Sequence, residues 1–230
     1  MTMWEFWMPT EVVAHAPDLF AVESGPAATV GYLLLDLAAR EACVIDVPMG
    51  SAERFRELAQ QHGVRIRRIL LTHTHWDHIA DAAALQRATG APIAVHPADA
   101  YRLQDPVELR LWQLPLPFEP VQAQEFLQHG QRLRCGTVWE LEVRHTPGHT
   151  EGGVCFVDQR RRVVFSGDTL FAGSIGRTDL PGGDLGQLLR SIAEQLLVLP
   201  EDFRVYPGHG GPTTIGAERR DNPFLQTAGR

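Results

Sequence analysis

The first half of the chain alternates apolar runs with amphipathic stretches. The runs "DLFAVES", "TVGYLLLDL" and "EACVIDV" are typical of strands. The stretch "SAERFRELAQQHG" then places Phe55, Leu58, Ala59 and His62 on one helical face before Gly63 ends the helix. The strand-like run "RIRRILL", the helix-like "IADAAALQRATG" and the strand-like "APIAVH" follow. This half is therefore predicted to form several strands and then strands and helices in alternation.

A proline-rich connection, "QDPVELRLWQLPLPFEP", leads into the second half of the chain. Short apolar runs separated by turn residues then predict hairpins, namely "QEFLQ", "QRLRC", "VWELEVRH", "GVCFVD" and "RVVFSGD". A helix is predicted after Asp184, which can cap it, with Gln187 at the capping-box position and an apolar stripe of Leu185, Leu188, Leu189, Ile192 and Leu196. A strand and loop follow in "FRVYPGHG".

Two groups of strands, each with its own helices, indicate the fold. Each group can form one sheet, and the two sheets are buried if they pack face to face with the helices outside them. This arrangement is a four-layer αββα sandwich of the α/β class. The chain has 230 residues, of which 44% are hydrophobic, so it can bury one substantial core. We expect residues 1–230 to form a single domain.

Composition and charge argue against several classes of protein. The opening "MTMWEFWMPT" lacks a basic segment followed by an apolar core, and no apolar run is long enough for a membrane span, so we expect a cytoplasmic protein without a membrane partner. The formal net charge of −7 argues against a nucleic-acid partner. Cys43, Cys135 and Cys155 are odd in number and widely spaced, which predicts buried thiols.

Candidate metal ligands cluster in "THTHWDH", directly after the strand "RRILL". His73 and His75 can point to the same side of this loop, while Asp77 and His78 lie at the start of the next helix. The other candidates also follow predicted strands: His149, Asp168 and His209. Imidazole and carboxylate suit zinc, iron or manganese, so the sequence predicts two divalent ions, with Zn²⁺ as the first expectation and Fe or Mn as alternatives.

The motif "THTHWDH", followed by single His, Asp and His positions, resembles the T-H-x-H-x-D-H signature of the metallo-β-lactamase superfamily. The resemblance runs through nearly the whole chain and implies the αββα fold. It also implies how the seven ligands divide, with His73, His75 and His149 on one ion, Asp77, His78 and His209 on the other, and Asp168 bridging them.

Two further segments, "GDTLFAGSIGRTDLPGGD" and "ERRDNPF", are similar to the short bacterial glyoxalase II-like hydrolases, which are thioesterases related to hydroxyacylglutathione hydrolase. This resemblance implies that Arg177 binds the thiol carrier, whereas the residues alone leave open a salt bridge with Asp179. Glyoxalase II carries a C-terminal helical region and an aromatic residue soon after its last metal histidine. At the latter position this chain has Gly210 and Gly211.

The leading hypothesis is a metal-dependent thioester hydrolase acting on a small-molecule substrate, with Asp77 holding the nucleophile. Asp46, which closes the strand "CVID", is expected to accept a hydrogen bond from a ligand histidine. The nearest rival is a persulfide dioxygenase, which is similar in "GRTD" and uses one iron on His73, His149 and Asp168. Hydrolysis of lactones, β-lactams or phosphodiesters stays open, as does a non-catalytic metal-binding protein. The sequence predicts no oligomeric state.

Overall fold

The computed structural model describes residues 10–226 of the chain. The N-terminal residues, for which the sequence predicts no leader, lie outside the described residues, as do the last four residues of the expected domain.

Within that range, a first sheet contains seven strands in chain order. They are β1 (Glu11–Ala16), β2 (Leu19–Ser24), β3 (Thr29–Asp36), β4 (Glu41–Ile45), β5 (Arg65–Leu70), β6 (Ile93–Val95) and β7 (Glu125–Phe126). The pairs from β1 to β4 are antiparallel, and those from β4 to β7 are parallel. All eight residues of β3 are buried, as expected for a strand that is covered on both faces.

A second sheet contains six strands of the described chain, in the order β15, β14, β11, β10, β9, β8. The intervening hairpin of β12 and β13 forms a small sheet of its own. The ranges are β8 (Arg132–Cys135), β9 (Trp139–His145), β10 (Val154–Asp158), β11 (Val163–Gly167), β12 (Leu170–Phe171), β13 (Ser174–Ile175), β14 (Arg204–Pro207) and β15 (Thr213–Thr214). β11 and β14 are parallel, whereas the other pairs of this second sheet are antiparallel.

The helices of the described residues are α1 (Ala52–Gln61), α2 (Trp76–Ile79), α3 (Ala82–Thr89), α4 (Val107–Leu111), α5 (Leu185–Ser191), α6 (Ile215–Asp221) and α7 (Pro223–Gln226). Among them, α1 and α3 cover the first sheet, and α5 and α6 cover the second. A 3₁₀ helix spans Pro97–Leu103, and a π-helical turn, Ile192–Leu196, continues α5. None of the helices in residues 10–226 has the length and apolarity that crossing a membrane requires.

Three apolar clusters fill the spaces between these layers. The cluster between the two sheets includes Tyr32, Trp139 and Phe165. A second cluster packs the outer face of the first sheet against α1 and α3 through Phe55 and Leu85, and a third packs α5 and α6 against the second sheet. The predicted αββα sandwich is therefore confirmed.

Several local features differ from the sequence prediction. The predicted connection "QDPVELRLWQLPLPFEP" contains α4, because Pro106 precedes a short run that can start a helix. β1 and the hairpin of β12 and β13 were not predicted. Asp184 caps α5 as predicted, since its Oδ1 accepts from Gln187 N at 2.8 Å, but Leu185 of the predicted apolar stripe is half exposed. Cys43, Cys135 and Cys155 are buried free thiols, as predicted.

Candidate metal centre

The seven side chains predicted as ligands come from strand-end loops of both sheets. Residues 73–78 follow β5, and the other three follow β9, β11 and β14 in turn: His149, Asp168 and His209. β9, β11 and β14 run in the same direction, so their carboxyl ends lie at one edge of the second sheet. That edge is joined to the first sheet by the hydrogen bond from Val30 N to Gly208 O at 2.8 Å.

The structure brings these side chains into three overlapping groups that could each hold a metal ion. In each group the ligand atoms lie within 4.8 Å of one another. The first group is His73, His75 and His149; the second is Asp77, His78 and His209; the third joins Asp168 to one histidine of each, His73 and His78. The first two groups are the ligand sets that the resemblance implies, and Asp168 lies between them.

Four of the five histidines hold their Nδ1 atom in a hydrogen bond. His149 Nδ1 lies 2.7 Å from Arg177 O, His209 Nδ1 lies 3.2 Å from Ala27 O, and His78 Nδ1 lies 2.9 Å from Asp46 Oδ2. His73 Nδ1 lies 3.1 Å from Thr72 Oγ1, whose own proton goes to Asp46. Because these partners accept, each Nδ1 carries a proton, which leaves Nε2 as the nitrogen that could bind a metal.

Asp46 holds the ligand loop through hydrogen bonds to two of its residues. Besides His78 Nδ1, it accepts from Thr72 N at 2.8 Å and from Thr72 Oγ1 at 2.7 Å, so one buried carboxylate orients two histidines. Its backbone has a φ of 57°, in the left-handed region that aspartate tolerates better than most residues. This strained position at the end of β4 turns the carboxylate toward the loop.

The donor set leaves several buried polar atoms that a cation would satisfy. His78 Nε2 and Asp168 Oδ1 are buried without a hydrogen-bond partner among the described residues, although they lie 3.2 Å apart. His73 Nε2 lies 3.2 Å from His149 Nε2. Lone pairs that converge without donors repel one another unless a proton or a metal lies between them. The residues therefore fit a dinuclear metal site.

The first group is uncharged in the metal-free protein. The pKa values of His73, His75 and His149 all lie below the ordinary value for histidine, and burial is the largest cause for each. An imidazolium is costly to remove from water, so burial favours the neutral ring. A neutral ring offers the lone pair that a metal needs.

The second group is held by charges of opposite sign in the metal-free protein. Burial opposes the charged form of His209, but Asp168 and Asp77 outweigh it and raise the pKa of His209 to about 10. The pKa of His78 is likewise raised against burial by Asp168 and Asp77. The pKa of Asp77 and that of Asp168 are lowered by these histidines despite burial. A bound cation would take the place of these protons.

Two residues that carry no metal-binding group help to place the candidate ligands. A Cβ atom on Gly208 would lie 2.3 Å from Asp168 Oδ1 and 2.6 Å from His78 Cε1, so a side chain there would displace the ligands. Thr29 Oγ1 donates to Asp77 Oδ2 at 2.7 Å and fixes that carboxylate from the first sheet. Sequence reasoning missed both residues, because neither carries a recognisable metal ligand.

A cavity of about 210 Å³ opens onto the ligands. Its apolar lining is contributed by Ala27, Trp76, Trp112 and Leu180. Arg177 also lines it and lies with its guanidinium carbon 5.3 Å from the centre of the Trp112 ring. Arg177 Nε and Nη2 each donate to Asp179 at 2.8 Å, which is the salt bridge that the sequence left open.

A buried ionic cluster beside the first group was not predicted from the sequence. Arg102 is fully buried, and its Nη1 lies 3.0 Å from Asp99 Oδ1 while its Nε lies 3.7 Å from Glu108 Oε1. Glu108 also lies at the cavity, with Oε1 3.4 Å from His75 Nε2. A pattern of hydrophobic and polar positions assigns charged residues to the surface, so it gives no signal for such a cluster.

Comparisons with known proteins give a consistent result. A sequence model described as the metallo-beta-lactamase superfamily matches residues 34–209. The chain is 40% identical over 210 residues to an uncharacterized protein of Mycobacterium tuberculosis, covering 86% of this chain and 93% of that one. It is 37% identical over 190 residues to the hydroxyacylglutathione hydrolase GloC of Haemophilus influenzae, covering 82% and 89%.

Solved structures agree with the sequence comparisons. The BLEG-1 B3 metallo-beta-lactamase is 38% identical and superimposes with a TM-score of 0.82, covering 90% of this chain and 99% of that one. The structure of TTHA1623 in a di-iron-bound form is 40% identical with a TM-score of 0.79, covering 90% and 100%.

Proposed function

Because the chain belongs to the metallo-beta-lactamase superfamily and is a metal-dependent hydrolase of that fold, we propose that it hydrolyses an acyl thioester with two divalent metal ions. The substrate we propose is S-lactoylglutathione or a related thioester. The observation that carries this proposal is the similarity to GloC, named as a hydroxyacylglutathione hydrolase, over most of both chains. A small-molecule thioester is thus the proposed binding partner.

We assign one ion to His73, His75 and His149 and the other to Asp77, His78 and His209, with Asp168 between them. The grouping of their ligand atoms and the unpartnered buried atoms support this assignment. Zn²⁺ is the first candidate, and iron is an alternative because TTHA1623 has been obtained in a di-iron-bound form. When bound, such ions supply a water of lowered pKa and a positive charge for the thioester carbonyl.

Asp77 is the proposed catalytic residue. Its pKa is low, so the carboxylate is ionised and can accept a hydrogen bond from the attacking water. Thr29 donates to Oδ2, which also lies 3.3 Å from His209 Nε2, so the side chain is held in one orientation. The leaving group is a thiolate, whose parent thiol has a pKa of about 8.5, and it needs little help from a general acid.

The cavity suits a substrate with an apolar part and an anionic part. Trp76, Trp112 and Leu180 can pack against the acyl and thiol groups, while Arg177 lies at the same wall. The salt bridge to Asp179 uses Nε and Nη2 of Arg177. Among the described residues, Nη1 of Arg177 has no carboxylate partner. This free donor supports the proposal that Arg177 binds a carboxylate of the thiol carrier.

The test combines metal analysis of protein from its native host with a thioester panel that includes S-lactoylglutathione. We expect two ions per chain and release of free thiol, measured with a thiol-reactive dye. The control is the Asp168→Ala variant, in which thiol release should be lost. Protein with two bound ions that hydrolyses none of the thioesters would contradict the proposal.

A second candidate, β-lactam hydrolysis, is favoured by the similarity to the BLEG-1 B3 metallo-beta-lactamase. The same protein sample should therefore be assayed with penicillin, cephalosporin and carbapenem substrates. If kcat/KM for a β-lactam exceeds that for every thioester in the panel, the β-lactam assignment replaces the thioesterase assignment.

A further inference from the structure

One of the five histidines at the metal centre differs from the other four in its hydrogen bonding. His73, His78, His149 and His209 each hold Nδ1 in a hydrogen bond. The Nε2 atom of His75 is buried and makes no hydrogen bond among the described residues. The closest carboxylate to it is that of Glu108, whose Oε1 atom lies 3.4 Å away.

Glu108 is itself an unusual residue. Its side chain is fully buried, yet neither carboxylate oxygen makes a hydrogen bond to any other of residues 10–226. Its neighbour of opposite charge is Arg102, whose Nε lies 3.7 Å from Glu108 Oε1 and is also without a hydrogen bond in the described part of the chain. Burying a carboxylate without hydrogen bonds is costly, and a cation at His75 would offset this cost.

We propose that Glu108 is a positioning residue for His75, an inference that rests on the metal centre proposed above. With an ion bound by the first group, Glu108 would accept a hydrogen bond from His75 Nε2–H, so the proton would stay on Nε2 and the Nδ1 lone pair would be available to that ion. A carboxylate in this role fixes the orientation of the ring and increases its basicity as a ligand. Glu108 would thus orient the His75 ring, as Asp46 orients the His78 ring through a hydrogen bond to Nδ1.

Arg102 and Asp99 connect Glu108 to the rest of the first group. Asp99 accepts from Thr74 N at 3.2 Å, in the loop of His73 and His75, and from Thr150 Oγ1 at 2.8 Å, beside His149. Asp99 also binds Arg102 at 3.0 Å, and Arg102 lies against Glu108. One ionic cluster, formed by Asp99, Arg102 and Glu108, therefore supports all three ligands of the first group.

The experiment measures Zn²⁺ binding at each position separately. His209→Ala should leave the first position as the stronger site, and His75→Ala should leave the second. Glu108→Ala and Glu108→Gln are introduced into both backgrounds and into the otherwise unchanged protein. Zn²⁺ dissociation constants are measured by competition with a chelating dye, and the absorption spectrum of the Co²⁺-loaded protein reports the ligand geometry.

In the His209→Ala background, Glu108→Ala should weaken Zn²⁺ binding about 10- to 100-fold and change the Co²⁺ spectrum. In the His75→Ala background it should change neither quantity. Glu108→Gln should have a smaller effect than Glu108→Ala, because the amide oxygen can still accept from His75. The Glu108→Gln variant should also fold, since Arg102 keeps its ion pairs with Asp99 at 3.0 Å and with Glu151 at 2.6 Å.

Glu218→Gln is the matched control, because Glu218 is a buried glutamate that binds Gly173 N and Thr213 Oγ1 away from His75. It should leave both Zn²⁺ dissociation constants unchanged.

Equal weakening of Zn²⁺ binding by Glu108→Ala in both backgrounds would overturn the inference. A raised KM with unchanged Zn²⁺ dissociation constants would also overturn it, because Glu108 would then be a substrate contact. If the protein without any substitution binds no Zn²⁺, the proposed metal centre itself is wrong.

Discussion

His73 Nε2 and His149 Nε2 lie 3.2 Å apart, although His73 follows a strand of the first sheet and His149 a strand of the second. An ion bound by both residues would join the two sheets at this edge. Without the ion, both imidazoles are neutral, and two Nε2 lone pairs that face each other do not attract. The metal centre is therefore expected to contribute to stability as well as to chemistry.

Removing the metal should lower the free energy of unfolding. Binding to the folded state alone stabilises a protein by about 2.7 kcal/mol when the free ion is at a hundred times its dissociation constant. Urea unfolding with and without a chelator measures this difference. Addition of Zn²⁺ to the chelated protein should restore the midpoint, and an unchanged midpoint in protein shown to have lost its metal would contradict this expectation.

Asp168→Ala should impair both metal positions, because Asp168 groups with His73 of the first set and His78 of the second. His209→Ala should chiefly weaken one position. Metal content after gel filtration, measured by atomic absorption, distinguishes the two variants. Full occupancy by two ions and normal turnover in Asp168→Ala protein would show that Asp168 does not bridge them.

Arg177→Ala should raise KM for a glutathione thioester while leaving kcat nearly unchanged, because a contact with the thiol carrier is made equally in the ground and transition states. About half of the Arg177 side chain is exposed, so we expect about a tenfold effect, at the lower end of the range for charge-assisted contacts. The measurement is steady-state kinetics with this thioester and with an uncharged one.

Asp179→Ala is the matched control for Arg177, since it removes the salt bridge but keeps the guanidinium. It should leave KM for the glutathione thioester unchanged or lower it. If Arg177→Ala and Asp179→Ala reduced activity toward both thioesters in parallel, the pair would have a structural role and the assignment of Arg177 to the thiol carrier would be wrong.

Asp36→Ala should destabilise the fold without changing the metal centre. Asp36 is buried and accepts from Ala39 N at 2.9 Å and from Thr137 N at 2.6 Å, which connects β3 to the turn after β8. Leaving these amides unpaired costs about 1–3 kcal/mol. Thermal and urea unfolding measure the loss, and metal content should stay equal to that of the unchanged protein.

The pH dependence of Asp36→Ala checks the same contact. Hydrogen bonds from Ala39 N and then Thr137 N lower the pKa of Asp36 to about 2, below its ordinary value of 3.8. Because the pKa is lowered on folding, the stabilisation is present above about pH 4 and is lost as the pH falls toward 2. The difference in stability between the two proteins should shrink over that window, and a constant difference would exclude the carboxylate as its source.

The fold could be predicted from the sequence because its strands are strongly apolar and its turns are marked. The seven candidate ligands could be singled out because four of them stand in one motif and the others follow strands. The sequence could not single out the buried cluster of Asp99, Arg102 and Glu108, because a buried charged residue gives the same sequence pattern as an exposed one. Leu185 fits the apolar stripe of α5 but is half exposed, because periodicity gives a face and not the depth of its burial.

The short helix α4 has a consequence for how this protein can diversify. Glu108, within it, lies 3.4 Å from His75, and Trp112, directly after it, forms a wall of the cavity. Substitutions that reshape this wall for a new substrate also shift the backbone beside a candidate metal ligand. Evolution of substrate range and retention of the metal are thus coupled at α4, and the same coupling holds at Ala27, another wall residue, whose carbonyl lies 3.2 Å from His209 Nδ1.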